Sequence, residues 1–203
     1  MLIRFILILG LTLLSSSTAW SIMEVRLTYS SLLSKPEIDK IYNGTTKEPT
    51  PTPAHGIGTD ILMDFESGLG VGMRYENLSG KSKGRGLQFE SEMTRTALLL
   101  NWRFINTQTY FGPVLSFGFS HSSERIIVTE NAVVISDLTA DKPQSYSAGL
   151  EIGTKLGGFR LGTEAGYMVY QWEDLSGYEG SIKAVDRLDM SGPYVKAIIG
   201  FGI

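Results

Sequence analysis

The strongest constraint on the fold lies in residues 191–203, where polarity alternates with a period of two. Val195, Ala197, Ile199 and Phe201 are apolar, and the residues between them are small, polar or mixed. This alternation is typical of a β-strand with two chemically different faces. Such a strand needs a paired neighbour for its backbone and an apolar environment for one face. The segment therefore predicts the closing strand of a membrane-spanning β-barrel.

The N-terminus has the composition of a secretory signal peptide. An apolar run at 5–14 follows a short basic start and precedes small polar residues. This run is shorter than the ~20 apolar residues that a transmembrane helix requires. We therefore expect a signal peptide at 1–21, cleaved after Ala19 or Ser21, and a single barrel domain at 22–203.

Composition excludes several kinds of site. The chain of 203 residues has no cysteine, two histidines and a formal net charge of −3. The absence of cysteine excludes disulfides, a thiol nucleophile and a thiolate metal site, and two histidines disfavour a metal centre. No cluster of Lys and Arg indicates nucleic-acid binding. We expect no cofactor, no metal and no nucleic-acid partner.

Seven further segments alternate in the same way, so the sequence predicts eight strands. They cover approximately residues 23–30, 57–65, 69–76, 90–105, 109–120, 145–156, 159–171 and 191–203. Long polar connections are expected at 34–56, 78–88, 121–144 and 172–189, and short turns at 66–68, 106–108 and 157–158. This alternation of long and short connections predicts an all-β, eight-stranded antiparallel up-and-down transmembrane β-barrel. Short turns and both termini are then periplasmic, and long loops are extracellular.

The charged residues fall on the strand faces opposite to the apolar ones. A soluble barrel would place them outside, whereas an Arg or Lys facing lipid near the midplane costs ~2–4 kcal/mol. The sequence therefore predicts an interior ion-pair network that consists of Glu24, Arg26, Asp60, Asp64, Arg74, Glu76, Arg95, Arg103, Glu151, Lys155, Arg160, Glu164 and Lys196. These charges could line a conduction path, but their near balance favours a structural plug.

The apolar faces are expected to contact lipid. The predicted lipid-facing residues include Val25, Leu27, Ile61, Val71, Leu100, Leu115, Leu150, Leu161, Ile199 and Phe201. Aromatic residues near strand ends or along outer faces are expected at the membrane interfaces. They are Tyr29, Trp102, Phe104, Tyr110, Phe111 and Tyr167.

Together, the signal peptide, the eight amphipathic strands and the apolar terminal strand resemble the small outer-membrane β-barrel proteins of the OmpA, OmpX and OmpW type. The resemblance covers nearly all of residues 23–203. It implies a bacterial outer-membrane protein in contact with outer-membrane lipid, delivered by periplasmic chaperones and inserted by the barrel assembly machinery. That machinery reads the terminal strand, which usually ends in an aromatic residue; here Ile203 is last and Phe201 lies two residues earlier.

One segment has catalytic character. His121 and Ser123 share a strand face, similar to the His-x-Ser site of outer-membrane lipid A deacylases, where serine attacks an ester and histidine is the base. The candidate orienting acids are Glu124, Glu130 and Asp137. A three-residue motif is weak, and the alternative is a polar strand end entering a loop, so we expect no catalytic residue. His55 is expected to be a solvated loop residue.

Apolar segments at 126–129 and 132–135 flank Glu130 and Asn131 and predict a hairpin beyond the membrane. This hairpin could recruit a partner by strand addition, or it could simply prolong the neighbouring strands, which we favour. The favoured function is a non-enzymatic scaffold whose extracellular loops contact a protein or surface ligand. The alternatives are passage of small solutes through the interior or the wall, and lipid esterase activity. A soluble calycin-like barrel is disfavoured by the charged faces.

Overall fold

The computed structural model describes residues 22–33, 54–84, 86–179 and 187–202. The strands are β1 (Ile22–Leu32), β2 (Ala54–Asp64), β3 (Leu69–Gly84), β4 (Leu87–Trp102), β5 (Ile105–Asn106), β6 (Thr109–Glu130), β7 (Val133–Leu156), β8 (Phe159–Glu179), β9 (Arg187–Asp189) and β10 (Gly192–Gly202). The predicted signal peptide, its cleavage sites and Ile203 lie outside the described residues. No helix in the described part of the chain is long and apolar enough to cross a membrane.

Eight long strands form a closed antiparallel ring. The order is β10-β1-β2-β3-β4-β6-β7-β8, and β10 also pairs with β8. The closing strand pairs Phe201 with Val25 on one side and with Phe159 on the other. Short β5 adds to β6, and short β9 adds to β8. The predicted eight-stranded up-and-down transmembrane β-barrel is confirmed.

The outer surface of the barrel is apolar over the part nearest to its short turns. Leu27 is 57% exposed, Leu150 53% and Ile199 47%, because each points away from the barrel axis. All ten predicted lipid-facing residues are exposed or partly exposed, so they lie on the outer surface of the barrel as predicted. We call this band of outward apolar side chains the apolar belt.

The connections differ at the two ends of the barrel. At the short-turn end, the predicted turns are present, and Gly68 (φ 82°) and Gly157 (φ 63°) adopt the positive φ that glycine tolerates. At the opposite end, which we call the long-hairpin end, two of the predicted loops are wrong. β3 continues to Gly84 and β4 begins at Leu87, so the region 78–88 is mainly strand.

The region 121–144 is also strand rather than loop. β6 continues to Glu130 and β7 begins at Val133, so the apolar segments prolong these strands, as expected. The turn lies at Asn131 (φ 47°) and Ala132 (φ 67°), one residue later than predicted. Positive φ at both positions is typical of a type I′ turn, whose twist matches that of the paired strands.

Two further predictions about connections are wrong. Trp172 does not begin a loop, because β8 continues to Glu179 and the indole is fully buried inside the barrel. His55 belongs to β2, where its ring stacks on Tyr29 at a centroid distance of 6.1 Å. Both residues follow the inward–outward alternation of their strands.

Tyr110 does not lie at the membrane interface. It is completely buried, because Phe111 faces outward and its neighbour on the strand must face inward. The ring lies 4.7 Å from the Arg103 guanidinium and occupies space left by Gly153 and Gly162, where a Cβ atom would collide with it. Tyr29, Trp102, Phe104 and Tyr167, in contrast, are exposed on the outer surface.

Candidate functional site

The interior at the level of the apolar belt is filled by ion pairs, and we call this region the charged layer. Nearest to the short turns, Arg26 donates from Nε to Glu24 and from a terminal nitrogen to Glu151, each at 2.9 Å. Arg103 reaches Glu24 at 3.0 Å, and Arg160 is also bonded to Glu24. Glu24 therefore accepts from three guanidinium groups at once.

A second group of ion pairs is centred on Arg74. Its guanidinium forms two bonds of 2.9 Å with Asp60 and bonds of 2.9 and 2.6 Å with Glu164. The Tyr194 hydroxyl donates to Glu164 at 2.6 Å. One arginine thus joins carboxylates from two different strands across the lumen.

A third group is centred on Glu76. Arg95 donates to this carboxylate at 2.7 Å from Nε, the Ser30 hydroxyl donates at 3.1 Å, and Lys196 is also bonded to it. The ion pairs also include Asp64, which is bonded to Arg103 and Arg160, and Lys155 lies half-buried near the short-turn end of β7. In the described residues, no three His, Cys, Asp or Glu side chains are arranged to hold a metal ion.

Beyond the charged layer, toward the long-hairpin end, the interior becomes apolar. We call this region the apolar layer. Its buried side chains include Leu78, Phe89, Met93, Ile126, Val128, Leu138, Tyr170, Trp172, Leu188 and Met190. Most outward positions at this level are polar, with exposed cross-strand ion pairs such as Arg125–Asp137 at 2.5 Å, although Val133 and Val134 near the turn are also exposed. Sequence reasoning missed this layer, although Leu87, Phe89 and Met93 share one strand face and could have indicated it.

The barrel wall is interrupted between β6 and β7. Pairing stops after Phe117↔Tyr146 and resumes at Arg125↔Thr139, while both strands stay paired with their other neighbours. A cavity of about 540 Å³ lies in this gap. Its lining residues are Phe119, Ser120, His121, Ser122, Glu124, Thr139, Ala140, Asp141, Lys142 and Pro143. We call it the wall cavity.

His121 forms a hydrogen bond across the interrupted wall. Its Nε2 lies 2.9 Å from the Ser145 hydroxyl of β7, and its ring contacts Tyr170 edge-on at 5.7 Å. Arg95 donates to the same Ser145 hydroxyl at 3.4 Å. The Ser123 side chain lies outside the described residues. Ser145, which sequence reasoning missed, is therefore the serine that the structure places against this histidine.

The candidate acids have other partners. Asp137 pairs with Arg125, whose guanidinium lowers the pKa of the carboxyl group. Glu124 is 2% exposed and accepts from the Tyr170 hydroxyl at 2.7 Å and from the Thr94 amide at 3.2 Å. Glu124 lies beyond the apolar belt, and burial raises its pKa to about 7. Neither arrangement orients His121 for catalysis.

Solved structures of outer-membrane proteins are similar to this chain. The outer membrane protein OprG from Pseudomonas aeruginosa matches with a TM-score of 0.53 and 12% identity, over 90% of this chain and 96% of OprG. AlkL (TM-score 0.43, 11% identity, 93% of each chain) also matches. So does Ail of Yersinia pestis (TM-score 0.41, 12% identity, 90% of this chain and 99% of Ail). No protein-family model and no curated protein sequence matches the chain.

The match to OprG extends over nearly the whole of both chains, so it concerns the complete barrel. The fold is therefore that of the small outer-membrane β-barrel proteins. The resemblance in the sequence is confirmed at the level of the fold.

Proposed function

We propose that the protein is a closed outer-membrane anchor that presents its long-hairpin end outside the cell for contact with an envelope or cell-surface partner. The observation that carries this proposal is the filling of the barrel. Ion pairs occupy the charged layer, and aromatic and aliphatic side chains occupy the apolar layer above it. A filled interior favours an anchor over an open channel.

Conductance tests the closed state directly. Refolded wild-type protein in a planar lipid bilayer should give no steady current, because Arg74 and its two carboxylates lie across the lumen. Glu164→Gln and Arg74→Met each remove one charge from the charged layer, so they should alter any current that passes through the lumen. A steady wild-type current whose size changes in these variants would contradict the anchor and establish a solute path.

Orientation is tested by labelling, because the chain has no native cysteine. Asp141→Cys places a thiol on an exposed position at the long-hairpin end, and Thr107→Cys places one at the short-turn end. A membrane-impermeant maleimide on intact cells should label Asp141→Cys alone, because we propose that the turns and termini are periplasmic. The reverse pattern would overturn the proposed display of the long hairpins.

The wall cavity favours a second candidate, passage of small solutes through the barrel wall. The cavity lies beside the apolar layer and opens next to Phe119 on the outer surface. Ala140→Trp should fill it and slow uptake of a small apolar solute into vesicles that contain the protein. Equal uptake by the two proteins would eliminate this route.

We propose no enzymatic role. Ser123→Ala should leave the lipid A species of the host cell unchanged, as measured by mass spectrometry. Loss of a deacylated species in this variant, with normal barrel folding, would instead establish esterase activity.

A further inference from the structure

Glu124 differs from the other deeply buried carboxylates among the described residues. Each of the others is bonded to at least one arginine; they are Glu24, Asp60, Glu76, Glu151 and Glu164. Glu124 accepts only from Tyr170, the backbone amide of Thr94 and its own backbone, all of them neutral donors. Buried carboxylates are normally paired with a cation. The position beside Glu124 is therefore one where a cation is expected.

The nearby basic side chains are already engaged. Arg95 is bonded to Glu76 and to two serine hydroxyls, and Lys142 pairs with Asp174 at 2.5 Å on the outer surface. The His121 ring is bonded to Ser145. These described basic groups have partners of their own, so the cation beside Glu124 is expected from outside the described residues.

The wall cavity gives such a cation access to Glu124. It is large enough for a small organic molecule, at about 540 Å³, and Glu124 is one of its lining residues. Ser120, Ser122 and Thr139 line it as well, and Phe119, 61% exposed, lies on the side of the apolar belt. An ammonium group has three donors and no acceptor, so it suits a cavity lined by a carboxylate and by hydroxyl-bearing residues.

We propose that the wall cavity binds an alkylammonium ion, with its ammonium group hydrogen-bonded to Glu124 and its alkyl chain packed on Phe119 toward the lipid. A metal ion is a poorer occupant, because no cluster of metal-ligating side chains exists in the described residues. The ammonium group could belong to a soluble amine or to the headgroup of an amine-bearing lipid. Both sources present the same chemistry to Glu124.

The test uses protein refolded in nanodiscs of phosphatidylcholine, which has no primary amine. Hexylammonium and its neutral analogue hexanol are titrated, and amide resonances of residues 119–124 and 139–142 are followed by NMR. Hexylammonium should bind saturably and hexanol should not. Glu124→Gln should weaken binding about tenfold or more, because a charge-assisted hydrogen bond is lost. Glu92→Gln, which alters an exposed carboxyl group on β4, is the matched control.

Two results would overturn the proposal: equal affinity of wild type and Glu124→Gln, or equal affinity for hexylammonium and hexanol. If Glu124→Gln does not fold, the pH dependence of the wild type decides. Because burial raises the pKa of Glu124 to about 7, affinity should be several-fold lower at about pH 5.5 than at about pH 8.5. His121 and Asp141 also line the cavity and Tyr170 faces Glu124, so His121→Gln and Asp141→Asn should retain this dependence. A pH-independent wild-type affinity would contradict the proposal.

A second set of nanodiscs identifies the source of the ammonium group. If a lipid headgroup occupies the cavity, phosphatidylethanolamine should shift the same resonances and weaken the apparent affinity for hexylammonium. If the cavity takes only soluble amines, hexylammonium should bind equally in both lipids. Either result supports the proposal, whereas no saturable binding of amine in either lipid overturns it.

Discussion

The charged layer and the apolar layer are built from the same strands but have opposite polarity. In the charged layer, buried ion pairs face inward and apolar side chains face outward; in the apolar layer, the arrangement is reversed. β4 shows the change within one strand. Its buried face passes from Phe89 and Met93 to Arg95 and Asn101, while its outward face passes from Glu92 to Trp102. The medium outside the barrel, and not the strand itself, decides which face is apolar.

The largest expected effect comes from removing a shared cation in the charged layer. Arg74→Met leaves Asp60 and Glu164 without the guanidinium that joins them, which should reduce the free energy of unfolding by ~3–5 kcal/mol. Arg125→Met, which removes an exposed arginine from the long-hairpin end, should reduce the free energy of unfolding far less, because exposed ion pairs contribute little to stability. Urea unfolding in lipid vesicles measures both. Similar losses in the two variants would mean that the charged layer is not tightly packed.

Removing one indole from the barrel interior and one from its outer surface compares how much each contributes to stability. Trp172→Ala opens a cavity in the apolar layer and should cost ~3–5 kcal/mol. Trp102→Ala removes a side chain that is 53% exposed on the outer surface. Trp102→Ala should reduce the free energy of unfolding less than Trp172→Ala does, because the methyl group that remains still faces lipid. The same assay measures the free energy of unfolding of both variants. An equal loss in the two, or a larger loss in Trp102→Ala, would contradict a packed apolar layer.

An arginine added to the outer face should distinguish the two regions of β7. Leu150→Arg places the charge in the apolar belt and should cost ~2–4 kcal/mol. Thr139→Arg places it on the exposed surface of the long-hairpin end, where surface substitutions usually change stability by ~0.5 kcal/mol or less. If both substitutions were tolerated equally, the outer surface near the short turns would not contact lipid.

The smallest effect should be a change in pH dependence at Glu124. Its folded-state pKa of about 7 lies above that of an unfolded glutamate. The folded state therefore holds the proton more tightly, and the resulting stability is lost as pH rises toward and through 7. The urea midpoint of wild type should fall relative to Glu124→Gln between about pH 5 and about pH 8. A constant difference across this range would show that Glu124 titrates normally.

The eight strands could be predicted because lipid restricts the outer face to apolar residues. Leu27 and Leu150 alternate with inward charges or small residues, so the period of two is unambiguous there. The same alternation fixes the strand faces without any knowledge of the register. This is why the outward residues of the apolar belt follow from the sequence.

The strand ends could not be predicted at the long-hairpin end. There the outer face is in contact with water, so Ser79, Lys81 and Lys83 alternate with Leu78 and Ser82, and the contrast between faces is weak. Such a segment has the composition of a loop even though it pairs regularly. Strand pairing, rather than composition, distinguishes such a strand from a loop.

Tyr110 and the wall cavity depend on relations between strands. Tyr110 was expected at an interface because it lies near a strand end, but the outward direction of Phe111 turns it inward. Its space depends on glycines of β7 and β8, which one strand alone does not reveal. The pairing of Glu124 with Tyr170 likewise joins residues far apart in sequence.

The exchange of polarity along the strands also sets the depth of the barrel in the bilayer. A strand rises about 3.3 Å per residue, so a shift by two residues would move the barrel by roughly 6 Å or slightly less at a tilt. Sinking would draw the exposed Arg125–Asp137 and Lys142–Asp174 pairs toward hydrocarbon, and rising would expose Leu150 and Ile199 to water. Displacement in either direction is opposed, so the long hairpins stand at a fixed height above the membrane.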